Sequence, residues 1–171
     1  TTLKLGFPLS RGPARAAPWL VRLESQGKFT RNLFRQSARS WHHWGRDSFV
    51  LLRSAASVTD LVAHFRRFTK VRDRQGRMVF FRFWDPLVIA LYASAKRHDA
   101  ARLEQIFGLS GGETVEFIAP LGTDEALHLA LTPGFQREHP RRIINFDTGD
   151  EAIMQEIAFS TFARQLLPWL L

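Results

Sequence analysis

From Gly76 to Pro86 the chain reads Gly-Arg-Met-Val-Phe-Phe-Arg-Phe-Trp-Asp-Pro, which packs a turn, an aromatic strand and a helix start into consecutive residues. The preceding Asp73-Arg74-Gln75 and Gly76 form a polar turn that ends on Gly, where a chain reverses without a Cβ clash. Met78 to Trp84 is rich in β-formers and free of Pro, which predicts a central strand. Asp85 then closes it, because its carboxylate can accept from the orphan N–H groups of a following helix. Pro86 at the first helical position loses no hydrogen bond. Strand therefore gives way to helix at Asp85, and Lys70 to Asp73 is expected to pair with Met78 to Trp84 as a hairpin.

The flanking periodicity extends this alternation. Pro18 to Leu23 reads as a short strand. Phe29 to Arg39 reads as an amphipathic helix, with Arg31, Arg35 and Arg39 on one basic face. Ser48 to Ser54 has the apolar content of a buried strand. From Ser57 the period changes to 3.6, with Val58, Leu61, Val62, Phe65 and Phe68 on one stripe and Ser57 and Asp60 as a capping box. The helix from Pro86 to about Lys96 is apolar nearly all round and should be buried by its neighbours. Ala100 to Phe107 makes another helix, stopped at Gly108. Thr114 to Ala119 and Ala126 to Leu131 predict a hairpin around Gly122, Pro133 to Pro140 a loop, Ile143 to Phe146 a short strand and Asp150 to Leu167 a last helix. The expected fold class is α/β, a single domain whose mixed sheet of about five to six strands is flanked by helices. It divides into an irregular arm over 1–17, a core over 18–132, and a C-terminal strand and helix over 133–171 that pack on the core.

Composition sets the bounds. A chain of 171 residues with 45% apolar content can bury one real core and is too short for two. It contains no Cys, which excludes disulfides, thiolate metal sites and cysteine nucleophiles. The longest apolar run, Pro86 to Ala95, is about half of the ~20 residues that a spanning helix needs. Met occurs only at 78 and 154, so the chain is expected to be part of something longer. The net charge of +8 is unevenly spread: residues 1–80 hold 16 Lys/Arg against four Asp/Glu, and residues 81–171 hold eight against twelve. A half this basic could meet a polyanion, an acidic protein surface, or the acidic half of the same chain. Arg outnumbers Lys 20 to four, and its planar fork suits protein interfaces as well as phosphates.

Catalytic constellations are thin. Gly108-Leu109-Ser110-Gly111-Gly112 spells G-x-S-x-G, but a nucleophile elbow needs a strand before Ser and a helix after it, and here the order is reversed. His42 and His43 are adjacent, so their side chains diverge, and no partner follows at metal-ligand spacing. His64, His98, His128 and His139 are isolated. Glu113 and Glu116 straddle a strand start and face opposite sides. No enzyme, no cofactor and no metal site is expected. Nucleic acid is the competing partner, supported by the sequence pI of about 11.1, the arginine helix and the nearby aromatics Trp41 and Trp44. Arg82 lies on the strand face opposite Phe81 and Phe83, three residues before Asp85, so a turn can bring guanidinium and carboxylate together as a pinned helix cap.

Phe81-Arg82-Phe83-Trp84-Asp85-Pro86 resembles the F-R-F/Y-x-D-P motif of the bacterial type VI secretion effector chaperones, or effector-loading adaptors, long catalogued only as a domain of unknown function. Four other stretches are similar to the family in order and spacing. They are Ala17 to Val21, Trp44-Gly45 with Phe49 to Ser54, the Leu61, His64, Phe65 and Arg66 helix, and Phe107-Gly108. The resemblance spans roughly 14–131. It implies a cytoplasmic, non-enzymatic adaptor that binds a toxic effector, often near its PAAR-like region, and helps load it onto the VgrG spike. It also implies motif or partner-binding roles for Trp44, His64, Arg66, Arg82, Trp84, Asp85 and Pro86. Two departures stand out: the segment before Ala17 is short, and Leu109 replaces the Pro that often follows Phe-Gly.

Overall fold

The computed structural model describes residues 6–9, 18–46, 48–109, 111–131 and 144–170, with the backbone alone for 6–8 and 164–170. The elements run β1 (Gly6–Pro8), β2 (Trp19–Val21), α1 (Lys28–Leu33), β3 (Leu51–Arg53), α2 (Val58–Phe65), β4 (Lys70–Arg72), β5 (Met78–Phe80), α3 (Pro86–Ala95), α4 (Ala100–Phe107), β6 (Glu116–Pro120), β7 (Ala126–Leu129) and α5 (Thr148–Leu170). The mixed α/β class stands. The strands are divided among small sheets: a three-stranded one in the order β3-β6-β7 and the two-stranded β1-β2 and β4-β5, all paired antiparallel. A parallel bridge between Arg72 and Asn145 adds the mixed character.

Phe81, Phe83, Tyr92, Phe65, Phe107, Phe117 and Phe146 lie at or near zero exposure and build the core. Their rings touch in sequence. Phe107 meets Phe117 edge-on at 5.3 Å and Phe117 meets Phe65 at 5.7 Å. Phe65 stacks on Phe83 at 5.1 Å, and Phe81 packs on Tyr92 at 4.9 Å and on Phe146 at 5.5 Å. Each such pair contributes about 0.5–1.5 kcal/mol beyond the area it buries. The aromatic run thus joins α2, α4, β6, α3 and the segment before α5. As its composition predicts, α3 is enclosed, packing against β6, β7 and α5.

The hairpin turn is built as expected. Gly76 adopts φ +81°, its N–H donates to Asp73 O at 2.9 Å, and Asp73 N–H donates to Arg77 O at 2.9 Å. This is a three-residue loop with Gly in the left-handed position. At Gly108 the requirement is close approach instead, since an added Cβ would lie 2.9 Å from the Glu104 carbonyl oxygen that accepts the Gly108 N–H. That contact gives the Phe107-Gly108 pair a steric reason. The N-cap half of the expected capping box forms, with Ser57 Oγ accepting from Asp60 N–H, while the Asp60 carboxylate accepts from the Ser57 hydroxyl.

Several boundaries differ from the sequence expectation. Within 1–17, Gly6–Pro8 is a strand paired with β2, not irregular chain. The basic helix is only Lys28–Leu33: its N-cap Gly27 offers no side-chain acceptor and its first turn carries no acid. Beyond Leu33 the chain is held by turns instead, with Arg46 donating to the Ser37 and Arg39 carbonyls and Trp44 N–H to Arg35 O. Arg31, Arg35 and Arg39 therefore share no helix face. The predicted central strand Met78 to Trp84 ends at Phe80, and among the described residues β5 pairs with β4 alone, as an edge. α2 stops at Phe65, with Phe68 buried beyond it. α5 starts at Thr148, and the predicted loop Pro133 to Pro140 lies outside the described residues.

Candidate functional site

Asp85 is extended at φ −83°, and its Oδ1 accepts from the N–H groups of Leu87 at 3.1 Å and Val88 at 3.4 Å. Its Oδ2 faces Arg82 Nη2 at 3.1 Å, and its own N–H donates to Arg82 O at 2.9 Å. Pro86, buried at the first helical position, completes the cap. Both carboxylate oxygens are engaged, so Asp85 is a helix cap and not a free base. The pair is lopsided in exposure, with Arg82 61% and Asp85 13% accessible. Burial alternates through the turn even though it is no longer strand, Phe81 and Phe83 inward and Arg82 outward. Trp84 is half-buried, edge-on to Phe83 at 5.3 Å.

His64 is buried on α2. Its Nε2 lies 2.8 Å from Ile106 O, so it donates there, and Nδ1 accepts from Arg67 Nη2 at 2.8 Å. A ring with one donor and one acceptor engaged is a tie between α2 and α4. Arg66 is exposed on the same element. His64 and the Arg82–Pro86 turn meet through the aromatic core: Phe65 stacks on Phe83, and His64 sits 5.0 Å from Phe65. Trp44 belongs to a different cluster, packed on Phe34 at 5.5 Å and Phe49 at 6.4 Å, its ring N–H donating to Thr123 O at 2.8 Å. His42 is buried, with Nδ1 2.6 Å from Ser37 Oγ. Burial, then Arg35, Arg39, Arg46 and His43, hold its pKa below the ordinary value. Glu116 is taken up by Arg53 and His128, whose hydrogen bonds hold its carboxyl below the usual range. Ser110 lies outside the described residues. Among the described residues no group of His, Asp and Glu has the geometry of a metal site, and no helix is long and apolar enough to cross a membrane.

Sequence reasoning missed the densest polar cluster. Asp150, fully buried at the start of α5, accepts from Tyr92 Oη at 2.6 Å and Lys96 Nζ at 2.9 Å on Oδ1. Its Oδ2 accepts from Arg102 Nη2 at 2.7 Å and Asp147 N–H at 3.0 Å. In return Asp147 Oδ1 accepts the Asp150 N–H at 2.8 Å, which makes Asp147 and Asp150 reciprocal caps of α5. That Asp150 N–H, together with Lys96 and Arg102, holds the Asp147 carboxyl below its ordinary pKa against the opposing effect of burial. Burial, then Asp150, pushes the Tyr92 phenol well up. Two sequence signals pointed here: the only Tyr of the chain on an otherwise apolar helix, and Asp-x-x-Asp at a helix start. The cluster fastens α5 to α3 and α4, and with every oxygen of Asp150 satisfied by cations and donors its role is attachment.

The surface holds a different concentration of features. Trp19, Phe29, Phe34, Trp41, Met78, Phe80, Phe159 and Phe162 are all exposed. Arg39 lies over the Trp41 ring at 5.7 Å, and Lys70 over the Phe80 ring at 5.3 Å.

Comparisons with curated proteins and with solved structures return no match. A family model does match, over residues 8–103, from β1 into α4. That span contains Trp44, His64, Arg66 and the whole Arg82 to Pro86 turn, together with Tyr92, Lys96 and Arg102, whereas Asp147 and Asp150 lie beyond it. With more than half of its length matched, the chain belongs to the family described as domain of unknown function DUF4123.

Proposed function

We propose that this chain is a non-enzymatic adaptor, a chaperone of bacterial type VI secretion that binds a toxic effector in the cytoplasm and helps load it onto the VgrG and PAAR spike. The motif resemblance supplies the family expectation. The observation that carries the binding role is the set of solvent-exposed aromatics paired with Arg and Lys on an otherwise well-packed domain, a composition enriched at protein interfaces. On this reading Asp85, Pro86 and His64 hold the scaffold, while the exposed Arg82, Arg66 and aromatic side chains form the surface that a partner would meet.

Co-expression with the product of a neighbouring toxin gene tests it. The expected result is a complex that survives affinity purification and size exclusion, and an effector that is degraded or insoluble without this chain. No complex, with effector stability unchanged, overturns the proposal. A nucleic-acid module would instead bind DNA or RNA with a steep salt slope, since each phosphate contact releases a counterion. Its strongest sequence support was one arginine-bearing helix face, and the short α1 removes that face.

A further inference from the structure

The register of the β4-β5 ribbon assigns every backbone group. Lys70 faces Phe80, Val71 faces Val79 and Arg72 faces Met78. The bonds Asp73 N–H to Arg77 O and Phe81 N–H to Thr69 O bracket the ribbon, so 69–81, 71–79 and 73–77 are its hydrogen-bonded pairs. The N–H and C=O groups of residues 70, 72, 78 and 80 must then point outward, away from the partner strand. On the β4 side this is visible: Arg72 N–H donates to Ile144 O at 3.0 Å, and Arg72 O accepts from Phe146 N–H at 2.8 Å. The chain has laid its own segment 144–146 along that edge as an added strand. On the β5 side the outward groups of Met78 and Phe80 make no hydrogen bond among the described residues.

The surroundings of that open edge select a chemistry. A groove of about 340 Å³ runs along β5, with Val79, Phe80, Phe146 and Met154 as its apolar lining and Glu151 and the Asp73–Arg77 ion pair among its polar lining. The outer face of the ribbon carries Met78, 48% exposed, and Phe80, 54% exposed, opposite Lys70 and Arg72. The side chains of Lys70, Arg72 and Arg74 form no ion pair among the described residues, although the Arg74 N–H donates to Glu151 Oε1 at 2.9 Å, and Arg82 stands exposed just past the strand. Side chains of an added strand alternate between the two faces. One set would enter the apolar groove and the other would lie beside the cations.

We propose that the free edge of β5 takes an extended segment of the partner protein as an added strand, with apolar residues toward the groove and acidic residues toward Lys70, Arg72 and Arg74. The identity of that partner as an effector rests on the adaptor reading; the site itself does not.

A labelled short peptide of alternating Glu and Val, titrated into the chain and followed by anisotropy and amide exchange, tests the site, with an alternating Lys and Val peptide as control. The Glu peptide is expected to bind saturably and to slow exchange at the Met78 and Phe80 amides, while those of Val79 and Phe81, already bonded to β4, change little. Met78→Pro removes an outward donor without breaking the β4 ladder and should weaken binding roughly fivefold. Because Pro could disturb the ribbon, a Lys70→Glu, Arg72→Glu double variant provides the second arm: it should lose the Glu peptide and gain the Lys peptide. Absence of saturable Glu-peptide binding, binding that neither variant alters, or protection at other amides overturns the proposal. An effector complex that leaves Met78 and Phe80 exchanging freely overturns this site and spares the adaptor reading. Peptide capture with no effector complex does the reverse.

Discussion

Asp85 and Arg82 form an ion pair in which the two partners have unequal weight. The carboxylate satisfies two orphan N–H groups of α3, a task no other side chain there performs, whereas the guanidinium is mostly in water. Asp85→Ala should therefore cost about 1 kcal/mol or somewhat more of unfolding free energy, as loss of a cap does. Arg82→Ala should cost less than about 1 kcal/mol, as for a surface pair. Urea denaturation of both variants checks this, and equal large losses would contradict it. A cost of ~3–5 kcal/mol belongs to a pair buried on both sides, which this one is not. His42 carries a pH consequence. Its pKa is lowered in the folded chain, so the folded state binds fewer protons than the unfolded one once pH falls toward the ordinary 6.5. The contribution of neutral His42 is complete above that value and shrinks as pH drops below it. Melting temperature should fall more between pH 7.5 and 5.5 for the native chain than for His42→Gln.

At the scale of elements, the attachment of α5 depends on Asp150. Removing its carboxylate leaves Lys96 and Arg102, both about nine-tenths buried, with only the more exposed Asp147, at 3.9 and 3.7 Å, as a shared anion. Asp150→Ala should destabilise by about 3–5 kcal/mol. Tyr92→Phe removes one hydrogen bond to a charged group and should cost about 1.5–3 kcal/mol. Hydrogen exchange would show the loss first in the amides at the start of α5; exchange unchanged there in Asp150→Ala would refute the anchoring role. Helix starts were legible at the side-chain caps Ser57 and Asp85, because the signal lies within four residues, whereas the Asp147 cap put the start of α5 two residues ahead of the expected Asp150. The end of α1 was not, because the turns that follow it are held by groups seven to nine residues further on, Trp44 N–H on Arg35 O and Arg46 on the Ser37 and Arg39 carbonyls. Likewise the run Met78 to Trp84 has β composition throughout, yet only three residues pair, since the Asp85 cap and the burial of Phe81 and Phe83 pull the rest of the stretch into a turn.

For the molecule as a whole, local chemistry determined the order of strands and helices from β2 to β7, the α/β class, the Gly76 turn and the caps at Ser57 and Asp85. Each of these depends on neighbours a few positions apart, so residue type and spacing suffice. Tertiary structure alone decided which edges stay open and which charges are buried together. Nothing within reach of Arg72 along the chain announces that residues 144–146 will occupy one side of the β4-β5 ribbon and that, among the described residues, none pairs with Met78 and Phe80 on the other. Nor does any spacing link Tyr92, Lys96 and Arg102 to Asp150, some fifty residues on. Contacts of that range form because burying Phe146 and Ile157 against the α3 face brings the polar groups along. Once out of water, those groups must find one another or go unsatisfied.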